Sequence, residues 1–219
     1  MAKPILHVVS ASQMTTEDVY KEEIGYVPSR DKYVPSDFMI QNFQIKYFVL
    51  PGKDAHKIAQ NYMEKIKDHE DRGRVSAVVV MLGGNVDDFV PAKDHIQDAE
   101  ITFYITKELI KFIYENNVLM QGAIGVKALL PPPRHDNPKC ENYNFYLQAL
   151  HSRLLTLKEL SDSYNAPSFY TKKHQCRQIY GPRFTATESC TNKRRNDYVH
   201  LNRKGFQHLN ATIDELLKK

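Results

Sequence analysis

Long apolar runs are missing from this chain of 219 residues. None approaches the ~20 consecutive apolar residues of a membrane-spanning helix, which sets aside a helical membrane protein. The N-terminus, MAKPILHVVSAS, has an apolar stretch too short for a signal-peptide core. A first β-strand is expected there instead, in an intracellular (cytoplasmic) protein without a signal peptide. Cysteine is scarce. Cys140, Cys176 and Cys190 are an odd number without paired-motif spacing, so reduced thiols are expected rather than a disulfide framework. There is no internal repeat and no low-complexity tract, which excludes solenoids and compositional linkers. No Gly-x-Gly-x-x-Gly opens a helix, and no Gly-Lys-Ser/Thr follows Leu82-Gly83-Gly84-Asn85. A dinucleotide site and a phosphate loop are therefore not expected. His174, Cys176 and Cys190 fit no common zinc spacing, so neither a metal nor another cofactor is expected.

What is present is ordinary for a soluble globular protein: 42% hydrophobic and 26% charged residues, read as a single domain over 1–219. The net charge of +4 is mild, but its distribution is uneven. Between 171 and 205, nine cations face only Glu188 and Asp197. Such a segment can attract phosphates or other anions; a solvated basic loop accounts for it equally well.

Five short apolar stretches alternate with helical patterns. They lie at 5–10, 46–51, 76–82, 122–131 and 166–170. The Val run of the third suits a strand buried on both faces. Between strands two and three, Ala55, Ile58, Ala59, Tyr62 and Ile66 recur at helical spacing behind Asp54, a good N-cap. Further helices are expected over 98–117, with Ile105, Leu109 and Phe112 on one stripe, and over 141–160, with Leu147, Leu150, Leu154 and Leu157. The last begins at Arg203 and turns Phe206, Leu209, Ile213 and Leu216 inward. Alternation of this kind means an α/β protein with a parallel sheet covered on both faces. Two connections, 13–44 and 171–196, are too long for simple loops.

In open α/β sheets, ligands sit at the carboxyl ends of the strands. Strand one ends in Ser10-Ala11-Ser12, strand two in Pro51-Gly52-Lys53, and strand three in Leu82-Gly83-Gly84-Asn85. Asp197 and His200 stand just ahead of the final helix. Singly, each has a plainer account: a turn serine, a turn asparagine, a capping histidine, an aspartate paired with Arg194 or Arg195. His135 and Asp136, after strand four, read as loop polarity. Jointly the strand-end residues meet a specific demand. A hydroxyl nucleophile needs a base and a group to orient it. Ser12, His200 and Asp197 supply those roles. The backbone N–H groups of Ser12 and Gly52 and the Asn85 amide supply three donors for an oxyanion.

The chain resembles the SGNH (GDSL-type) hydrolases. That family carries Ser, Gly, Asn and His in four blocks in this order, with an Asp three residues before the His. The matching positions are Ser12, Gly52, Asn85, Asp197 and His200. The resemblance implies a three-layer α/β/α sandwich with a five-stranded parallel sheet. It also implies a serine esterase of carboxylesterase or acetyl-esterase type acting on a small ester. The Pro-Gly that ends strand two resembles the esterase-like domains of some animal retroelements. The pattern departs at two places. Ala11 stands where the family has an Asp that helps fix the nucleophile loop, and Val86 follows Asn85 where the family usually has Asp. More distant Oskar-type relatives keep the fold and bind RNA. That gives a rival reading here, with Lys172, Lys173, Arg177, Lys193, Arg194 and Arg195 as the anion-binding set.

Overall fold

Valines build the centre of the sheet. The computed structural model of the chain describes residues 2–28, 31–85, 92–132, 141–154, 156, 201 and 203–218. Strand β3 (Val75–Met81) and strand β1 (Ile5–Ser10) are buried at every position. They lie between β2 (Gln44–Val49) and β4 (Gly125–Ala128), in the order β2-β1-β3-β4. All pairings are parallel. β-branched side chains suit this setting, where both faces of the pleat are covered. The sheet thus has four strands among the described residues; the expected fifth, 166–170, lies outside them.

Alternation along β1 divides the core in two. Ile5 and Val9 pack on one face, with helices α3 (Ala55–Lys67), α4 (Ala92–Glu115) and α5 (Glu141–Leu154). Leu6 and Val8 pack on the other, with α1 (Glu17–Ile24), α2 (Asp37–Asn42) and α6 (Arg203–Leu217). The expected stripe of α6, Phe206, Leu209, Ile213 and Leu216, is buried there. Each such side chain stabilises the fold by ~1.5–3 kcal/mol relative to exposure. The architecture is α/β with helices on both faces of a parallel sheet.

Several boundaries differ from the sequence expectation. The connection over 13–44, expected to be more than a simple loop, holds α1 and α2, whose ranges the sequence did not give. Thr16 caps the first by accepting from Val19 N–H, and Ser36 caps the second by accepting from Met39 N–H. Gly25, at φ +77°, ends α1 in the left-handed conformation. Both helices are short and bury few side chains, so their periodicity is weak while their caps are clear. Strand β2 stops at Val49, ahead of a turn closed by Lys53 N–H to Leu50 O at 3.3 Å. Strand β4 is shorter than 122–131: it begins at Gly125, after a turn in which Gly122 has positive φ, and ends at Ala128.

Candidate active site

Register fixes the site's frame. Ser10 lies opposite both Val49 and Met81, so three strands end level. The segments carrying Ser12, Gly52 and Asn85 therefore leave the same edge of the sheet.

After β1 the chain makes one 3-10 turn, Ser12–Met14. Ala11 O accepts from Met14 N–H at 3.4 Å and from the Thr15 hydroxyl at 3.3 Å. These bonds hold the turn from within. Ser10, expected at the rim beside Ser12, is instead sealed in the core, whereas Ser12 keeps 8% of its surface exposed. Of the two hydroxyls, Ser12 is the one that reaches the edge.

The β2 edge ends in a turn with Pro51 and Gly52 at its centre, Gly52 at φ +76°. Proline followed by a left-handed glycine is the signature of a type II turn. A side chain at Gly52 would meet nothing within 4 Å, so the glycine is required by its φ and leaves its backbone open to approach. Asn85, half-buried after β3, donates from Nδ2 to Lys53 O at 2.8 Å. That bond ties the Asn85 loop to the Gly52 turn. Gly83, at φ +89°, lies against the Tyr146 hydroxyl and the Thr102 methyl with no room for a Cβ.

The last segment also reaches this edge. Leu201 N–H donates to Gln13 Oε1 at 3.3 Å, between residues that are both buried. Arg203 N–H donates to Asp31 Oδ2 at 2.9 Å, and Tyr33 N–H to Thr15 O at 3.2 Å. The start of α6 and the 31–33 segment are thus fastened close to the 3-10 turn that begins at Ser12. Asp197 and His200 lie outside the described residues, as do Lys172, Lys173, Arg177, Lys193, Arg194 and Arg195. The Gln13–Leu201 bond was not foreseen from the sequence; a glutamine directly after the serine is its only local sign.

Also unforeseen is a buried polar cluster on the α3 face of the sheet. His7, fully buried in β1, has Nδ1 3.0 Å from the Tyr62 hydroxyl and Nε2 3.1 Å from Asp71 Oδ2. Lys46 Nζ reaches Asp71 at 2.9 Å, and His69 Nδ1 lies 3.3 Å from the same carboxylate. Burial lowers the His7 pKa to about 4, despite the opposing pull of Asp71. Burial pushes the Asp71 carboxyl up, but bonds from Lys46 and His7 outweigh it and leave the pKa depressed. A separate cavity of about 790 Å³ opens between the 31–37 segment and α6. On its wall Ser36 Oγ donates to Asp214 Oδ1 at 2.6 Å, and burial raises the Asp214 pKa. Ser12, Gly52 and Asn85 do not line it. Among the described residues, no group of three or more His, Cys, Asp or Glu is placed to hold a metal ion. None of the described helices is long and apolar enough to cross a membrane.

Solved structures share this frame. The lipase Lip_vut3 from a goat rumen metagenome superposes with TM-score 0.60 at 10% identity, over 97% of each chain. A carbohydrate acetylesterase family member from Sinorhizobium meliloti gives 0.55 at 15%, over 100% of each chain. The chain shares the α/β fold of these proteins, a parallel sheet with helices on both faces. A Parabacteroides merdae protein provisionally named a GDSL-like lipase gives 0.55 at 12%, over 100% of this chain and 97% of its own. No family model and no curated protein sequence matches the chain. At these identities the likeness is one of fold.

Proposed function

We propose that this protein is a serine ester hydrolase, with Ser12 as nucleophile, His200 as general base and Asp197 as the carboxylate that orients it. The observation that carries this reading is the tether from Leu201 N–H to Gln13 Oε1. It joins the residue after the histidine to the residue after the serine, across 188 positions of sequence. The lipases and esterases among the fold's solved relatives support the same class.

The chemistry follows. His200 takes the Ser12 hydroxyl proton as Oγ attacks the ester carbonyl carbon. The carbonyl oxygen becomes an oxyanion and receives hydrogen bonds from Ser12 N–H, Gly52 N–H and the Asn85 amide. An amide nitrogen carries two hydrogens. For Asn85, the bond to Lys53 O uses one hydrogen and leaves the second for the oxyanion. Collapse of the tetrahedral intermediate expels the alcohol, which takes its proton from His200. Water then enters, His200 accepts its proton, and a second intermediate releases the acid and restores Ser12.

A short activated ester, nitrophenyl acetate, tests this. The full chain should hydrolyse it and Ser12→Ala should not, with the variant's thermal unfolding unchanged. Folded protein that shows no Ser12-dependent turnover across a range of acyl lengths ends the hydrolase reading. Salt-sensitive RNA binding in that same protein would then favour the rival role for the basic 171–205 segment.

A further inference from the structure

We infer that Gln13 is a positioning residue for the base. This rests on the serine hydrolase reading above. Ala11 is buried among apolar neighbours, in the cluster that includes Val9, Ala55 and Leu82. Its methyl group offers no polar atom to fix anything. Two residues on, Gln13 is also buried, at 4% exposure, and its Oε1 accepts the Leu201 N–H. That N–H belongs to the peptide group joining His200 to Leu201. A bond to it therefore acts one covalent neighbour away from His200 in the sequence. Leu201 is itself packed in the core at 1% exposure. The peptide is held from two directions: by its apolar side chain below and by Gln13 at the edge.

The other end of the tether is equally fixed. Gln13 sits inside the 3-10 turn that begins at Ser12, and Ala11 O accepts from both Met14 N–H and the Thr15 hydroxyl. Nucleophile and base are thereby referred to one rigid turn. Misplacing a reacting group by about 1 Å can cost ~10²-fold in rate. A side chain that sets this separation affects turnover without touching substrate.

The test replaces the acceptor and keeps the length. Gln13→Met should lower kcat on nitrophenyl acetate by about 10- to 100-fold with KM nearly unchanged. The Leu201 amide should also exchange with solvent deuterium faster than in the parent protein. Gln13→Glu keeps an acceptor oxygen at the same reach and should restore most of the turnover and the protection. If Gln13→Met fails to fold, Gln13→Ala and the Leu201 exchange rate in Gln13→Glu carry the comparison. Full kcat in a folded variant lacking the acceptor, or unchanged Leu201 exchange, overturns the inference. A parent protein without Ser12-dependent turnover instead removes the hydrolase reading on which it rests.

Discussion

Acid should destabilise this fold through one histidine. His7 is fully buried and bonded on both ring nitrogens, to Tyr62 and to Asp71. The carboxylate can only accept, so Nε2 carries the proton and Nδ1 accepts from the Tyr62 hydroxyl. A second proton would turn Nδ1 into a donor, and the Tyr62 hydroxyl would have to stop donating to it and accept instead. Charged and titratable groups face the ring from β2 (Lys46), from α3 (Tyr62) and from the loop after α3 (His69, Asp71). The strand on the other side offers only Val78. With the pKa lowered from 6.5 to about 4, the sign is fixed. Above pH 6.5 both folded and unfolded chains hold a neutral His7, and stability does not depend on it. Between 6.5 and 4 the unfolded chain binds a proton that the folded chain refuses, so stability falls as pH falls. The slope is ~1.4 kcal/mol per pH unit, or about 3 kcal/mol across the window. Urea unfolding at intervals from pH 7 to 4.5 measures it. His7→Gln keeps a donor toward Asp71 but cannot titrate. Its slope should be smaller than the parent's by about one proton. His151, lowered by burial, and Asp214, raised by burial, titrate alike in both proteins and cancel in the difference. Asp71 acts lower still: its depressed pKa contributes stability above 3.8 that is lost only as pH drops below that value. Equal slopes in parent and variant would refute the reasoning.

Two further outcomes test the site's frame. Asn85→Asp keeps the shape but replaces a donor with an anion, and should lower ester turnover by at least ~10²–10³; near-normal turnover would assign the oxyanion to another group. Gly83→Ala forces a Cβ against the Tyr146 hydroxyl at a left-handed φ and should lower unfolding free energy by about 2–4 kcal/mol in urea titrations. Adding Tyr146→Phe, which removes that hydroxyl, should recover part of the loss, and a strictly additive pair would contradict the contact.

What could be read in the sequence is what depends on neighbours along the chain. The Val run of β3 and the stripes of α3 and α6 mark their elements because burial repeats at the period of the backbone. The ends of three strands were placed closely enough to bring Ser12, Gly52 and Asn85 to one edge. The short helices α1 and α2 went unread because only caps announced them, and caps also occur in loops. The His7 cluster was hidden for another reason. His7, Lys46, Tyr62 and Asp71 come from four separate segments, and no spacing joins them until the sheet is assembled. The Gln13–Leu201 bond is the extreme case. It also changes how a sequence departure is understood. Against the GDSL pattern, Ala11 reads as a lost anchor. In the fold, position 11 faces the apolar cluster beneath the sheet edge, where an unpaired carboxylate would be costly to bury. The polar contacts that hold the turn come instead from Thr15 just after it and from Gln13 across to the final segment. The turn that carries Ser12 is thus hydrogen-bonded through Thr15 and Gln13 although position 11 offers no polar side chain.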